Sequence, residues 1–191
     1  MKIAILGWGS LLWDKRPEFD DNHSDWQFDG PTIKIEFSRV SATRNDALTL
    51  VLDVKNGEKC QVAYAFSKRK NPDDAICDVR NREGTILENI GYYFADKSRI
   101  KNLNKEVLNI IQNWALEKKI DVVIWTALES NFQNKSKFKK IFSIQEALCH
   151  IQALDSEGKA NAAEYVRRSP EFVKTPLREA LQSQPWFQEY G

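Results

Sequence analysis

Cysteine is scarce in this chain. Cys60, Cys77 and Cys149 are widely spaced and odd in number, and no Cys-x-x-Cys pair occurs. A disulfide framework is therefore not expected, and the three read as buried, reduced thiols of a cytoplasmic protein. Histidine is scarcer still, with His23 and His150 alone. A zinc site would need nearly every His and Cys to converge, so no metal and no cofactor are expected. No apolar run approaches the roughly 20 residues that span a bilayer, and the apolar start ends in glycines rather than a cleavage site, so neither a membrane span nor a signal peptide is expected. Charge of one sign is also missing. The 28 basic and 27 acidic residues leave a net +1, which gives no long-range pull on nucleic acid or an anionic membrane. Phosphate-loop signatures fail as well. Gly7 and Gly9 start a dinucleotide fingerprint, but Leu12 takes the third glycine's place, and no Gly-Lys-Ser/Thr occurs. A nucleophile elbow fails because Leu12 stands two residues beyond Ser10.

What is present is enough for a core. The chain has 191 residues, 42% of them hydrophobic, with ten Phe, six Trp and five Tyr. That length favours a single domain over residues 1–191. "KIAIL" reads as a buried strand stopped by glycine. In "TIKIEFSRV", Ile33, Ile35 and Phe37 alternate with Lys34, Glu36 and Ser38, which predicts a half-buried strand. "ALTLVLDV", a turn at Asn56-Gly57 and "CQVAYAFS" predict that residues 32–67 hold three successive antiparallel strands. The segment 14–31 reads as a long polar loop.

Helical signals follow. Asn71, Pro72, Asp73 and Asp74 mark a helix start, and Gly84 marks its end. Asp78 stands four residues before Arg82, the spacing of a surface pair. "IGYYFAD" is a strand, and Tyr92 and Tyr93 point to its opposite faces. "NKEVLNIIQNWALEKK" is a helix and "DVVIWTAL" a central strand. From about residue 143 the chain reads as helical, beginning with Ser143 and Glu146 as a capping box. This order lacks the regular alternation of a doubly wound sheet. It predicts an α+β fold: a mixed, mostly antiparallel, barrel-like sheet flanked by helices.

The loop "GWGSLLW" is the first candidate site. Glycines let backbone amides approach a ligand closely, and the Gly9, Ser10 and Leu11 amides would suit a small carboxylate. Trp8 and Trp13 could wall such a site; a turn with both tryptophans in the core is the alternative. "LGWGSLLW" resembles the start of the gamma-glutamylcyclotransferase superfamily, where the aromatic is more often Tyr. "FSRVSATRNDALTLVLDVKNGEKCQVAYAFS" is similar to that family's strand region, and "DVRNREGT" to the helix end bearing its catalytic acid. "NAAEYV" is similar to an Asn-x-x-Glu-Tyr element of the glutathione-acting, cation-transport-regulator-like branch. The matches run from residue 3 to about 166. Trp8 in place of Tyr, Gly84-Thr85 directly after Glu83, and the segment 14–31 depart from the family's pattern.

The resemblance implies a gamma-glutamylcyclotransferase-like fold and a chemistry that needs no metal or external nucleophile. A γ-glutamyl amide would cyclise to 5-oxoproline and release its amine, as a lyase or acyltransferase step of the kind found in glutathione metabolism. It implies Glu83 as the catalytic acid–base, with Trp8, Gly9, Ser10 and Leu11 binding the substrate. Arg44, near a strand end, and Tyr165, on a late helix, are further candidates for substrate contact; Arg39 is a weaker one. Cys149 and His150 read as structural, since no third partner completes a nucleophile. The alternative function is a binding module on the same fold, holding a small ligand without turnover.

Overall fold

The computed structural model describes residues 1–101 and 104–190. The chain begins with β1 (Ile3–Gly7), a 3-10 turn at Ser10–Leu12 and the one-turn helix α1 (Pro17–Asp20). Next come β2 (Thr32–Ser41), β3 (Ala47–Leu52), β4 (Glu58–Gln61) and β5 (Ala63–Phe66). They are followed by α2 (Pro72–Glu83), β6 (Ile90–Phe94), β7 (Ile100–Lys101), α3 (Lys105–Lys118) and β8 (Val122–Thr126). The rest is helical: α4 (Phe132–Lys135), α5 (Ile144–Gln152), α6 (Ser156–Arg168), α7 (Pro176–Gln182) and α8 (Pro185–Gln188). The α+β class stands. Two separate sheets form among the described residues, one of five strands and one of three, and neither closes into a barrel. No helix among them is long and apolar enough to cross a membrane.

The chain divides into two compact units, residues 1–33 with 61–128, and residues 34–60 with 129–191. The first holds the sheet β5-β1-β8-β6-β7. β1 runs parallel to β8 and antiparallel to β5, and β6 runs antiparallel to β8. β8 is the central strand, as its unbroken apolar run predicts, and every residue of it is buried. Ile3, Ile5, Val122, Ile124, Ile90 and Phe94 turn one face toward Ala75, Ile76 and Val79 of α2. On the opposite face Trp114 of α3 meets Tyr64 of β5 edge-on, with ring centroids 4.9 Å apart.

Local signals set the ends of α2. The Asn71 side chain accepts the Asp73 N–H, and Gly84 closes the helix in the left-handed region at φ +58°. Asp78 does not pair with Arg82. It takes both Nε and Nη2 of Arg69, at 2.8 and 3.0 Å, because the helix turns its outer side toward the segment that precedes it.

Gly91 sits opposite Trp125, which is fully buried. A Cβ on Gly91 would lie 2.3 Å from the Trp125 indole. Gly91→Ala should therefore destabilise the protein by about 1–3 kcal/mol, the range for overpacking a filled core. Urea melts of the variant check this.

The segment 14–31 is more than a loop. It contains α1, and then it lines the outer edge of β5. Ser24 N–H donates to Phe66 O at 2.8 Å, Gln27 and Tyr64 exchange backbone bonds at 2.7 and 2.8 Å, and Gly30 N–H donates to Val62 O at 3.0 Å. Covering an edge strand in this way removes a template for unwanted pairing.

The second unit holds the antiparallel sheet β3-β2-β4. The prediction of three successive paired strands fails here. The turn forms, with Gly57 N–H on Asp53 O at 2.8 Å and the Asp53 carboxylate on the Asn56 amide, but β4 pairs on the far side of β2. β5 leaves for the other sheet to pair with β1. β2 is also not half-buried. Ile35, Glu36, Phe37 and Ser38 are all buried. Phe37 meets Tyr165 of α6 on one side, and Glu36 accepts the Leu177 N–H of α7 on the other, so helices cover both faces. A register shift between Phe37 and Arg39 adds to the irregularity. The C-terminal helices cap as their sequences suggest. Ser143 accepts the Glu146 N–H, Asp155 accepts that of Gly158 and Thr175 that of Arg178. All three cysteines are free, but only Cys60 is buried; Cys77 and Cys149 are partly exposed.

Candidate functional site

β1 ends at Gly7, and the next residues tighten into one 3-10 turn. Leu12 N–H donates to Gly9 O at 3.0 Å, and Asp14 N–H to Ser10 O at 2.9 Å. Gly7 allows a close approach, since a Cβ there would lie 2.8 Å from the Trp26 ring. Trp8 is buried at 5% exposure, and Leu11 joins the cluster beneath α2. The two tryptophans thus divide the alternatives: Trp8 is a core residue, and Trp13 is only half-buried. Among the described residues, no backbone carbonyl accepts from the amide of Gly9 or Leu11.

The loop is held from outside by Arg82. Its Nη2 donates to Ser10 O at 2.9 Å and to Asp14 O at 2.8 Å, and it lies 3.6 Å from the Asp14 carboxylate. Arg82 is 8% exposed. From the sequence, Arg82 reads as a surface partner of Asp78. A signal was present, because Ala75, Val79 and Arg82 follow the i, i+4, i+7 spacing of a single helix face, and the first two are apolar. A cation on a core-facing row needs acceptors, and the loop carbonyls supply them. Arg82→Met should cost about 3 kcal/mol, because two loop carbonyls lose a charged donor. Chemical denaturation measures the loss, and a change below about 0.5 kcal/mol would mean that the clamp is idle.

Glu83 is the last residue of α2 and is half-buried. Ile76, Val79 and Glu83 lie at i, i+3 and i+7, so Glu83 stands on the same helix row as the two residues that pack in the Ile5–Ile124–Leu11 cluster. Arg80 holds the Asn81 side chain, and Arg82 holds the loop. Beyond Glu83 the chain bends through Gly84 into an open recess of about 450 Å³, lined by Arg80, Asn81 and residues 84–88.

The structure thus gathers Trp8, Gly9, Ser10, Leu11 and Glu83 into the first unit. Arg44 and Tyr165 belong to the second, where the Arg44 guanidinium lies 5.1 Å from the centre of the Tyr165 ring. Tyr165 is buried at 4% exposure, a core position. Arg39 donates to Glu129 O at 2.7 Å, and its partial burial lowers its pKa. Tyr93 is buried, and Tyr92 packs on the cluster beneath α2 with Arg99 over its ring. His150 is fully buried and neutral in its bonding pattern. Its Nδ1 accepts the Lys137 N–H at 3.1 Å, and its Nε2 donates to Asp46 O at 2.9 Å. Burial lowers its pKa, as befits a structural ring.

No family model matches the chain, and neither a curated protein nor a solved structure does so.

Proposed function

We propose that the protein is a γ-glutamyl cyclotransferase-type enzyme that converts a γ-glutamyl amide or peptide to 5-oxoproline and a free amine. The observation that carries this reading is the Arg82 clamp. It ties the last turn of α2 to the glycine loop, and the next residue is Glu83. Loop amides and a carboxylate are what the cyclisation needs. The amides of Gly9, Ser10 and Leu11 would hold the α-carboxylate and keep the γ-glutamyl chain curled. Such orientation supplies several kcal/mol of the barrier. Glu83 would take a proton from the α-ammonium. The freed nitrogen attacks the γ-carbonyl carbon, a C–N bond closes the ring, and the amide C–N bond breaks. The attacking nitrogen sheds a second proton as it becomes the lactam N–H, and the carboxyl relays both protons in turn to the departing nitrogen, which leaves as an ammonium, so atoms and charge balance with one acid–base group. The recess lined by Arg80, Asn81 and residues 84–88 offers room for the leaving amine.

The test is a panel of γ-glutamyl amides, amines and peptides incubated with pure protein, with 5-oxoproline read by chromatography. Catalytic release from at least one member is expected. Binding of panel members with no product from any would favour the alternative, a small-molecule binding module. Neither binding nor release would remove the reading.

A further inference from the structure

Several buried side-chain donors in the first unit have no hydrogen-bond partner among the described residues, including Trp26 Nε1, Arg82 Nε and Thr126 Oγ1. Native folds pair nearly all such groups, so a set gathered in one place calls for an explanation. These three lie around the carboxyl end of β1, on the side of the sheet that α2 covers. The Trp26 ring rests against Gly7 and packs on the cluster beneath α2. Arg82 reaches the loop through its Nη2 and leaves its Nε unused. Thr126 ends β8 and pairs with Ile90, a member of the same cluster. Alternation along β8 puts Thr126 on the face of Val122 and Ile124. Because Ile5 stands opposite Ile124 in the parallel register, Thr126 extends that row toward Gly7. The carboxyl ends of adjacent parallel strands are where α/β sheets hold their ligands.

These three are chemically alike. An indole N–H, a guanidinium N–H and a hydroxyl all donate, and none of them brings a negative charge. Such a set fits an anionic oxygen. We propose that Trp26, Arg82 and Thr126 form a carboxylate cradle beside the glycine loop, and that its ligand is the α-carboxylate of a γ-glutamyl compound or of its cyclised product. This rests on the proposed function above and deepens it, since it assigns the grip to side chains as well as loop amides.

Thr126→Val removes a donor and keeps the shape; Trp26→Phe removes a donor together with the ring edge that lies against Gly7, so only its affinity bears on the cradle. Calorimetric titration with 5-oxoproline, thermal melts and the turnover assay are run on both variants and the parent. Affinity for 5-oxoproline should fall about tenfold or more in each. The melting temperature of Thr126→Val should hold or rise, because an unpaired buried donor disappears. Thr126→Ser, which keeps the hydroxyl, should bind as the parent does. Unchanged affinity in the two donor-deleted variants, with the parent still releasing 5-oxoproline, overturns the cradle and spares the proposed function. A lowered melting temperature of Thr126→Val with unchanged affinity also overturns it, since that donor would then serve an internal water. A parent that neither binds nor releases 5-oxoproline removes both. If one variant fails to fold, the other, on a separate segment, decides.

Discussion

Glu83→Gln should lower 5-oxoproline release from a γ-glutamyl amide by about 10²–10⁴-fold, the usual contribution of a positioned acid–base group. Glutamine keeps the size of the side chain and cannot carry the proton from the α-amine to the leaving nitrogen. The fold should tolerate the change. Glu83 is the terminal residue of α2 and half-buried, the helix end is closed by Gly84, and Arg82 ties the loop to the helix. Circular dichroism and a thermal melt verify folding, and kcat on the best panel substrate gives the effect. A loss of less than about threefold would assign the proton transfer to another group.

Glu36 carries the second large effect, on stability rather than turnover. It is fully buried on β2. Its carboxyl accepts the Phe37 N–H at 2.8 Å and the Leu177 N–H at 3.3 Å, with the Thr175 hydroxyl also bonded. Burial pushes its pKa up to about 7, more strongly than these bonds pull it down, and the nearby Asp53 charge adds to the rise. The folded chain therefore keeps this proton to about pH 7, whereas the unfolded chain releases it near 4.5. The unfolded state binds fewer protons between those values, so stability falls as pH rises through that window. The full shift corresponds to about 3 kcal/mol. His150 acts in the opposite sense. Its folded pKa lies below the ordinary 6.5, so its contribution is lost as pH falls below that value. Glu36→Gln separates the two, because it removes only the first. Melts of parent and variant at pH 5 and pH 8 should show the variant gaining on the parent at the higher pH. Parallel pH profiles would exclude Glu36 as the source.

How much of this was legible in the sequence depended on the range of the interactions. α2 could be read from end to end, because Asn71, Pro72 and Gly84 act on their own turns. β8 declared itself by an apolar run that only a strand covered on both faces carries. β2 did not, since what covers Phe37 and Glu36 comes from α6 and α7, far along the chain. The separation of β4 from β5 was hidden for the same reason: β5 pairs with β1, and no local turn signal reports that choice. At the candidate site, the loop and Glu83 were found through short motifs and a family resemblance. The row Ala75, Val79, Arg82 marks Arg82 as core-facing, but its partners are backbone carbonyls, which leave no trace in side-chain patterns.

The most direct measurement is a crystal structure of the protein with 5-oxoproline bound. The ligand carboxylate is expected against the Gly9–Leu11 turn, with a Glu83 oxygen about 3 Å from the ring nitrogen, the reach of a proton-transferring group. A ligand bound away from that turn, or a Glu83 carboxylate directed to solvent with the ligand in place, would contradict the shared site on which the chemistry depends.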